Sequence, residues 1–147
     1  MRIRIETPVR GKPAEIMARF DRELFEALSP PGAGVEIVQF DGSQTGDRVH
    51  IRLKLLGFIE QDWISEIVEH GEDDNGAYFI DQGLKLPFFL KAWRHEHRVF
   101  PKKDHSVILD KIYFEPSSIL LAPGLYPALY AQFAARKPIY KKFFGKV

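Results

Sequence analysis

The chain has 147 residues, 21 Lys and Arg against 20 Asp and Glu, 45% hydrophobic and 28% charged residues, and no cysteine. Those values fit one globular domain and exclude disorder, collagen, coiled coil and a general nucleic-acid binder, whose footprint is a basic excess. Disulfide frameworks, zinc–thiolate sites and thiol nucleophiles are excluded with the cysteines.

Arg2 to Thr7 alternates, with Ile3 and Ile5 on one side, and reads as a half-buried strand. Lys12 is followed by Pro13, and from there to Leu28 the residues Ile16, Phe20, Leu24 and Leu28 recur every fourth position, widened by Met17 and Phe25. This is a helix, or two short ones broken near Asp21, stopped by Ser29-Pro30-Pro31-Gly32. Strands follow. Val35, Ile37 and, after a slip in phase, Phe40 mark one, closed by Asp41-Gly42. Val49 to Leu55 alternates cleanly; Ile59, Trp63, Ser65 and Ile67 share the next, ended by His70-Gly71. Asp74-Asn75-Gly76 is a turn signal. Ala77 to Leu84, Leu90 to Phe100 and Val107 to Phe114 complete a series of antiparallel hairpins.

The last segment changes period. Leu125, Leu129 and Phe133 recur at helical spacing with Tyr126 and Tyr130 beside them, and Ile139, Tyr140, Phe143 and Phe144 carry the stripe on. Pro127 suits a first helical turn, and Pro138 should kink or break the helix. Residues 136–147 hold five basic residues and no acid. That excess reads either as a solvated face complementing the helix dipole or as a weak contact with an anionic membrane surface or acidic partner. No segment is an apolar run long enough to span a membrane as a helix. The N-terminus lacks the apolar stretch of a signal peptide, and the absence of cysteine fits a reducing compartment, so a cytoplasmic location is expected.

The order is strand, helices, about six strands, long helix. It predicts a single α+β domain over residues 1–147, a curved antiparallel sheet of six to seven strands wrapped on the C-terminal helix. The segments Leu24-Phe25-Glu26-Ala27-Leu28-Ser29-Pro30-Pro31-Gly32, Asp41-Gly42 with Gly46-Asp47, and Trp63-Ile64-Ser65 come first. Phe79-Ile80-Asp81-Gln82-Gly83, Pro87-Phe88, Trp93-Arg94-His95-Glu96-His97, Leu109-Asp110 and Phe114-Glu115-Pro116 follow. In this order they resemble the START-like helix-grip superfamily, also called SRPBCC, and within it the bacterial polyketide cyclase/dehydrase-like branch, a ligand-binding branch of unknown function. The superfamily includes polyketide cyclases, lipid-transfer domains and pollen-allergen-like proteins. The resemblance implies a hydrophobic pocket and does not imply one reaction, because the fold hosts carriers, sensors and enzymes. Pro138 and the basic aromatic tail depart from it.

Trp93, His95 and His97 share one strand face, while Arg94, Glu96 and Arg98 take the other and want water. The Trp-His-His row is therefore expected to face the pocket. Asp110, on the next strand, can approach His97 across the hairpin. This set reads as a polar network satisfying buried groups, as a ligand-orienting or acid/base pair, or as three ligands for zinc or iron. No fourth ligand stands out, and neither metal nor cofactor is required by the reading adopted here. Trp63 and Phe79 are expected in the same cavity, with Asp81 on the Phe79 face if the strand is regular. The opposite parity, Tyr78, Ile80 and Leu84, is also apolar and leaves the inward face of residues 77–84 open. His50, His70 and His105 look like exposed strand-end or turn residues. No serine sits in a nucleophile elbow, and there is no phosphate-binding glycine loop.

The expectation is a pocket for a small apolar or amphipathic molecule, lined by Trp63, Phe79, Asp81, Trp93, Leu125, Tyr126, Leu129, Tyr130 and Phe133, with His95, His97 and Asp110 orienting the polar end. The alternatives are a cyclase or dehydratase using a His/Asp acid–base pair, and a protein-interaction module contacting its partner through the tail.

Overall fold

The computed structural model describes residues 1–29 and 34–147. The expected stop at Pro30-Pro31-Gly32 lies outside the described residues. In chain order the elements are β1 (Arg2–Val9), α1 (Pro13–Met17), α2 (Arg22–Leu28), β2 (Val35–Phe40), β3 (Arg48–Leu55), β4 (Ile59–Asp73), β5 (Gly76–Lys85), β6 (Leu90–Pro101) and β7 (Ser106–Pro116). A 3-10 turn (Ile119–Leu121), α3 (Ala122–Ala134) and α4 (Arg136–Phe144) close the chain. The seven strands form one antiparallel sheet in the order β1-β7-β6-β5-β4-β3-β2, and the helices cover one of its faces.

The helical stripe after β1 is two helices. Asp21 caps the second, accepting from the Leu24 amide at 3.1 Å, so the break falls at the one short polar side chain able to start a new helix there. The phase slip in β2 is a bulge between Ile37 and Gln39. β4 does not end at His70-Gly71; it pairs on to Asp73, with Tyr78 opposite Gly71 and its ring over the bare backbone. Asp74 and Asn75 then form the turn. Gly76 is required there: its φ is +102°, and a Cβ would meet the Val99 carbonyl oxygen at 1.9 Å.

The C-terminal helix is interrupted at Ala135, three residues before Pro138. Pro138 thereby falls in the first turn of α4, where its missing N–H breaks no helical bond. Pro127 is not in a first turn: α3 already starts at Ala122, with Pro123 in that role, and Pro127 interrupts the bonding of its second turn.

Two apolar clusters fill the space under the helices. One joins Val9, Ile16, Phe20, Leu24, Ile67, Phe79, Val99, Ile108 and Tyr140, with Phe143 and Phe144 against it. The other joins Ile3, Ile5, Leu90, Trp93, Ile112, Phe114, Leu129 and Phe133. The aromatics of the tail are thus committed to the core: Tyr140 is fully buried and the Phe144 ring stacks on Phe20 at 6.2 Å. Arg19 covers both Phe143 and Phe144, and the Arg10 amide donates to the Gly145 carbonyl at 3.2 Å. Lys142 and Lys146 remain exposed. No helix among the described residues is long and apolar enough to cross a membrane.

Candidate functional site

A cavity of about 130 Å³ lies between the sheet and helices α2 and α3. Its apolar wall comes from three directions. Phe20, Leu24 and Leu28 enter from the α1–α2 segment, Val35, Phe40, Val49 and Ile51 from β2 and β3, and Leu129 and Phe133 from α3. Trp63 and Trp93 meet edge-to-face at 4.7 Å on its floor.

One wall is polar. β5 and β6 are neighbours, and Ala77, Phe79 and Asp81 are the inward set of β5. Register places Asp81 opposite His95, and Phe79 opposite His97, on which it stacks at 4.1 Å. The hydrogen bonds run diagonally. His97 Nε2 pairs with Asp81 Oδ2 at 2.8 Å, and Trp93 Nε1 donates to Asp81 Oδ1 at 3.0 Å. The same shift recurs on the other side. Asp110 stands opposite His97 across the β6–β7 pair, yet its carboxylate bonds His95 Nε2 at 2.8 Å and lies 4.0 Å from His97 Nδ1. The expected His97–Asp110 pairing is therefore replaced by His97–Asp81 and His95–Asp110. Side chains lean along their strands, and diagonal partners come within reach of long polar groups. Asp110 is fully buried behind the histidines and is not part of the cavity wall.

Burial raises the Asp81 carboxyl, but the His97 bond and neighbouring His95 outweigh it and hold it below the usual range. Asp110 is likewise raised by burial and lowered further by His95 and Arg136. Burial, then His95, pushes His97 down to about 4 against the pull of Asp81. At neutral pH the wall thus presents one carboxylate, Asp81, and a neutral His97, with the Asp110 carboxylate behind them. Arg136, the first residue of α4, brings its guanidinium to 3.8 Å from Asp110 Oδ1 and 4.3 Å from the centre of the Phe133 ring. It belongs to the site and not to a solvated basic face.

Eight of the expected site residues meet at this cavity: Trp63, Phe79, Asp81, Trp93, His95, His97, Leu129 and Phe133. Leu125 and Tyr126 lie one to two turns up α3, half-buried beyond the cavity's end, where Tyr126 approaches Phe114. Tyr130 is 46% exposed and stacks on Tyr126. The tyrosine that does reach the polar cluster is Tyr140, with its hydroxyl 3.5 Å from Asp110 Oδ1. Arg136 and Gln132 were missed as lining residues. Arg136 follows Phe133 by three, the spacing that shares a helix face, and that signal was available. Of the remaining histidines, His50 is neither exposed nor at a strand end: it is half-buried within β3 and bonded to Asp62 at 2.9 Å. His70 is exposed within β4, where its Nδ1 accepts from the Thr45 amide, and His105 is half-buried beside Asp104. Among the described residues, Asp81, His95 and His97 could hold a metal ion, since one donor atom from each lies within 4.8 Å of the others.

No family model matches the sequence, and no curated protein matches it. Solved structures do. A point mutant of norcoclaurine synthase from Thalictrum flavum, in complex with a transition-state analogue, superposes with a TM-score of 0.66 at 14% identity, over 97% of this chain and 95% of that one. The Ara h 8.0201 structure gives 0.60 at 13% identity over 97% and 98%. Major latex-like protein 151 of Panax ginseng gives 0.56 at 12% identity over 93% and 97%. At such identities the likeness speaks for architecture, and together with the seven-stranded sheet closed on C-terminal helices it establishes that this chain has the helix-grip fold.

Proposed function

We propose that the protein binds a small amphipathic molecule in the cavity between sheet and helices, its apolar part among the aromatic residues and its polar end at Asp81 and His97. The observation that carries this reading is the pairing of an apolar cavity with a charged wall. Val35, Phe40, Val49 and Ile51 turn apolar side chains toward the cavity, and none of them is fully buried. An apolar cavity of about 150 Å³ accommodates benzene. A space of about 130 Å³ thus suits one ring-sized group, with the remainder of a ligand extending toward the opening. Binding of this kind needs no cofactor, and a cytoplasmic protein without cysteine suits it.

Calorimetric titration with p-cresol, a ring bearing one hydroxyl, tests the reading. Saturable one-to-one binding is expected, lost in Val49→Phe with the circular dichroism spectrum unchanged. Absence of saturable heat up to millimolar concentrations overturns it.

The two His–Asp pairs favour a second reading, proton transfer on a carbonyl substrate in a cyclase or dehydratase reaction. His95, with Nε2 bonded to Asp110, leaves Nδ1 free on the cavity side as the proton acceptor, and Asp110 would hold its orientation. On this reading His95→Gln abolishes turnover and leaves affinity within about tenfold, whereas equal loss of both marks His95 as a binding residue only.

A further inference from the structure

We propose that Asp81, His95 and His97 form a three-ligand site for a divalent first-row transition ion, with its open position facing the cavity and Asp110 as the outer partner of both imidazoles. This goes beyond the binding of an organic molecule and does not rest on it.

The donor geometry carries the argument. Asp81 Oδ2 lies 2.8 Å from His97 Nε2 and 3.7 Å from His95 Nδ1. An ion with bonds of roughly 2.0–2.1 Å in a tetrahedral site sets its donors about 3.3 Å apart, and the two observed separations bracket that value. Two imidazoles and one carboxylate with positions left open form the donor set of non-haem iron sites and of catalytic zinc. All three side chains project from the adjacent strands β5 and β6, which fixes their backbones, and all three reach the cavity, the route by which an ion and a further ligand would arrive.

The unused nitrogens make the second argument. A ligating histidine nearly always gives its other ring N–H to a carboxylate or carbonyl. His95 already does so, with Nε2 on Asp110 and Nδ1 left facing Asp81 at 3.7 Å, beyond hydrogen-bond reach. His97 Nδ1 is buried without a hydrogen-bond partner and lies 4.0 Å from Asp110 Oδ1. If Nε2 ligates an ion, the ring proton moves to Nδ1 and faces that carboxylate. One arrangement thus accounts for the separation at His95 and the orphan atom at His97. Trp93 completes it by donating to Asp81 Oδ1, which leaves Oδ2 turned toward the imidazoles.

Charge supports the same placement. Asp81 and Asp110 face a single guanidinium, Arg136, which leaves one negative charge in excess beside the cavity. A divalent ion reverses that excess, and an anionic oxygen such as hydroxide or a carboxylate as fourth ligand neutralises the site.

The experiment is titration of chelator-treated full-length protein with Co²⁺, followed by displacement with Zn²⁺. One equivalent of Co²⁺ is expected to give the intense visible bands of a four- or five-coordinate ion, with a rise in melting temperature that Zn²⁺ also produces. Asp81→Asn should abolish the bands. Asp110→Asn, a positioning change, should weaken binding by about 10–100-fold. His50→Gln removes the other half-buried His–Asp pair and should change nothing. Should Asp81→Asn fail to fold, imidazole ¹⁵N spectra of the unaltered protein with Zn²⁺ decide. Coordination shifts are expected at His95 Nδ1 and His97 Nε2. The proposal falls if these nitrogens do not shift, if Co²⁺ shows only the weak spectrum of the hydrated ion, or if binding is lost in His50→Gln.

Discussion

The two ends of the sheet are finished differently. At the β1–β7–β6 end the inward side chains are buried against helices: Val9, Val99, Ile108 and Phe114 are each 0% exposed, and α4 adds Tyr140 at 0%. At the β2–β3 end no residue is fully buried, although Val49, Ile51, Leu53 and Leu55 of β3 alternate as regularly as any strand in the chain. Strand patterning is the same at both ends, and the difference lies in what sits opposite. α4 lies over β1 and the neighbouring strands, whereas β2 and β3 face the cavity, with α2 and α3 beyond it. A sheet that closes on helices at one end only has its stability at that end and its binding space at the other.

The most severe way to break this contrast is to remove residues 139–147. That deletion strips Tyr140, Phe143 and Phe144 from the closed end, at about 1.5–3 kcal/mol for each large side chain fully buried. The total approaches the whole stability of a small domain, so the truncated chain should show no cooperative melt by circular dichroism. A preserved melting temperature would mean that the closed end does not depend on α4.

A matched pair of substitutions sharpens the contrast. Phe114→Ala at the closed end should cost about 3–5 kcal/mol in urea unfolding, because packed surroundings do not collapse into the space left behind. Ile51→Ala beside the cavity should cost about 1 kcal/mol, the transfer term of a half-buried side chain with no new void to add. Equal losses would show the two ends to be packed alike.

The effect that leaves the sequence untouched is that of pH on the polar wall between them. His97 has a pKa of about 4 when folded against an ordinary 6.5. As pH falls through 6.5 the unfolded chain takes up a proton that the folded chain refuses until near 4. Stability is therefore lost across that window, by up to about 3 kcal/mol. Asp81 and Asp110 are held below their ordinary 3.8, so their contribution is present above that value and disappears as pH falls through their lower folded values, extending the loss to stronger acid. Urea midpoints of the metal-free protein at pH 7 and 5 measure the first part, and His97→Gln should flatten it.

Most of the architecture was legible because it rests on periodicity. Strand alternation, the slip in β2 and the break at Asp21 are all local signals, and the parity of Trp93, His95 and His97 put them on one face correctly. What parity does not carry is the lean of a side chain along its strand. Asp110 is opposite His97 in register and bonded to His95, a displacement of one pair that only packed neighbours decide. The inward face of β5 was open because both parities are apolar; the bulge between Ile67 and Glu69 in β4 belongs to the pairing and leaves no mark in composition. Tyr126 and Tyr130 share a stripe with Leu129 and Phe133 in spacing alone. The rotation of α3 about its own axis depends on where the helix starts, and with prolines at 123 and 127 spacing alone does not say which one stands in the first turn.

The two tryptophans of the chain have a consequence outside binding and stability. They are the only indoles in 147 residues, they touch edge-to-face with planes 89° apart, and both lie on the cavity floor. Emission excited at the red edge of the near-ultraviolet band, beyond the absorption of the five tyrosines, therefore originates from one place. Light at the indole wavelengths samples the polarity and occupancy of the cavity and is nearly blind to the α4 end, so the protein carries an optical probe of its own interior without any label.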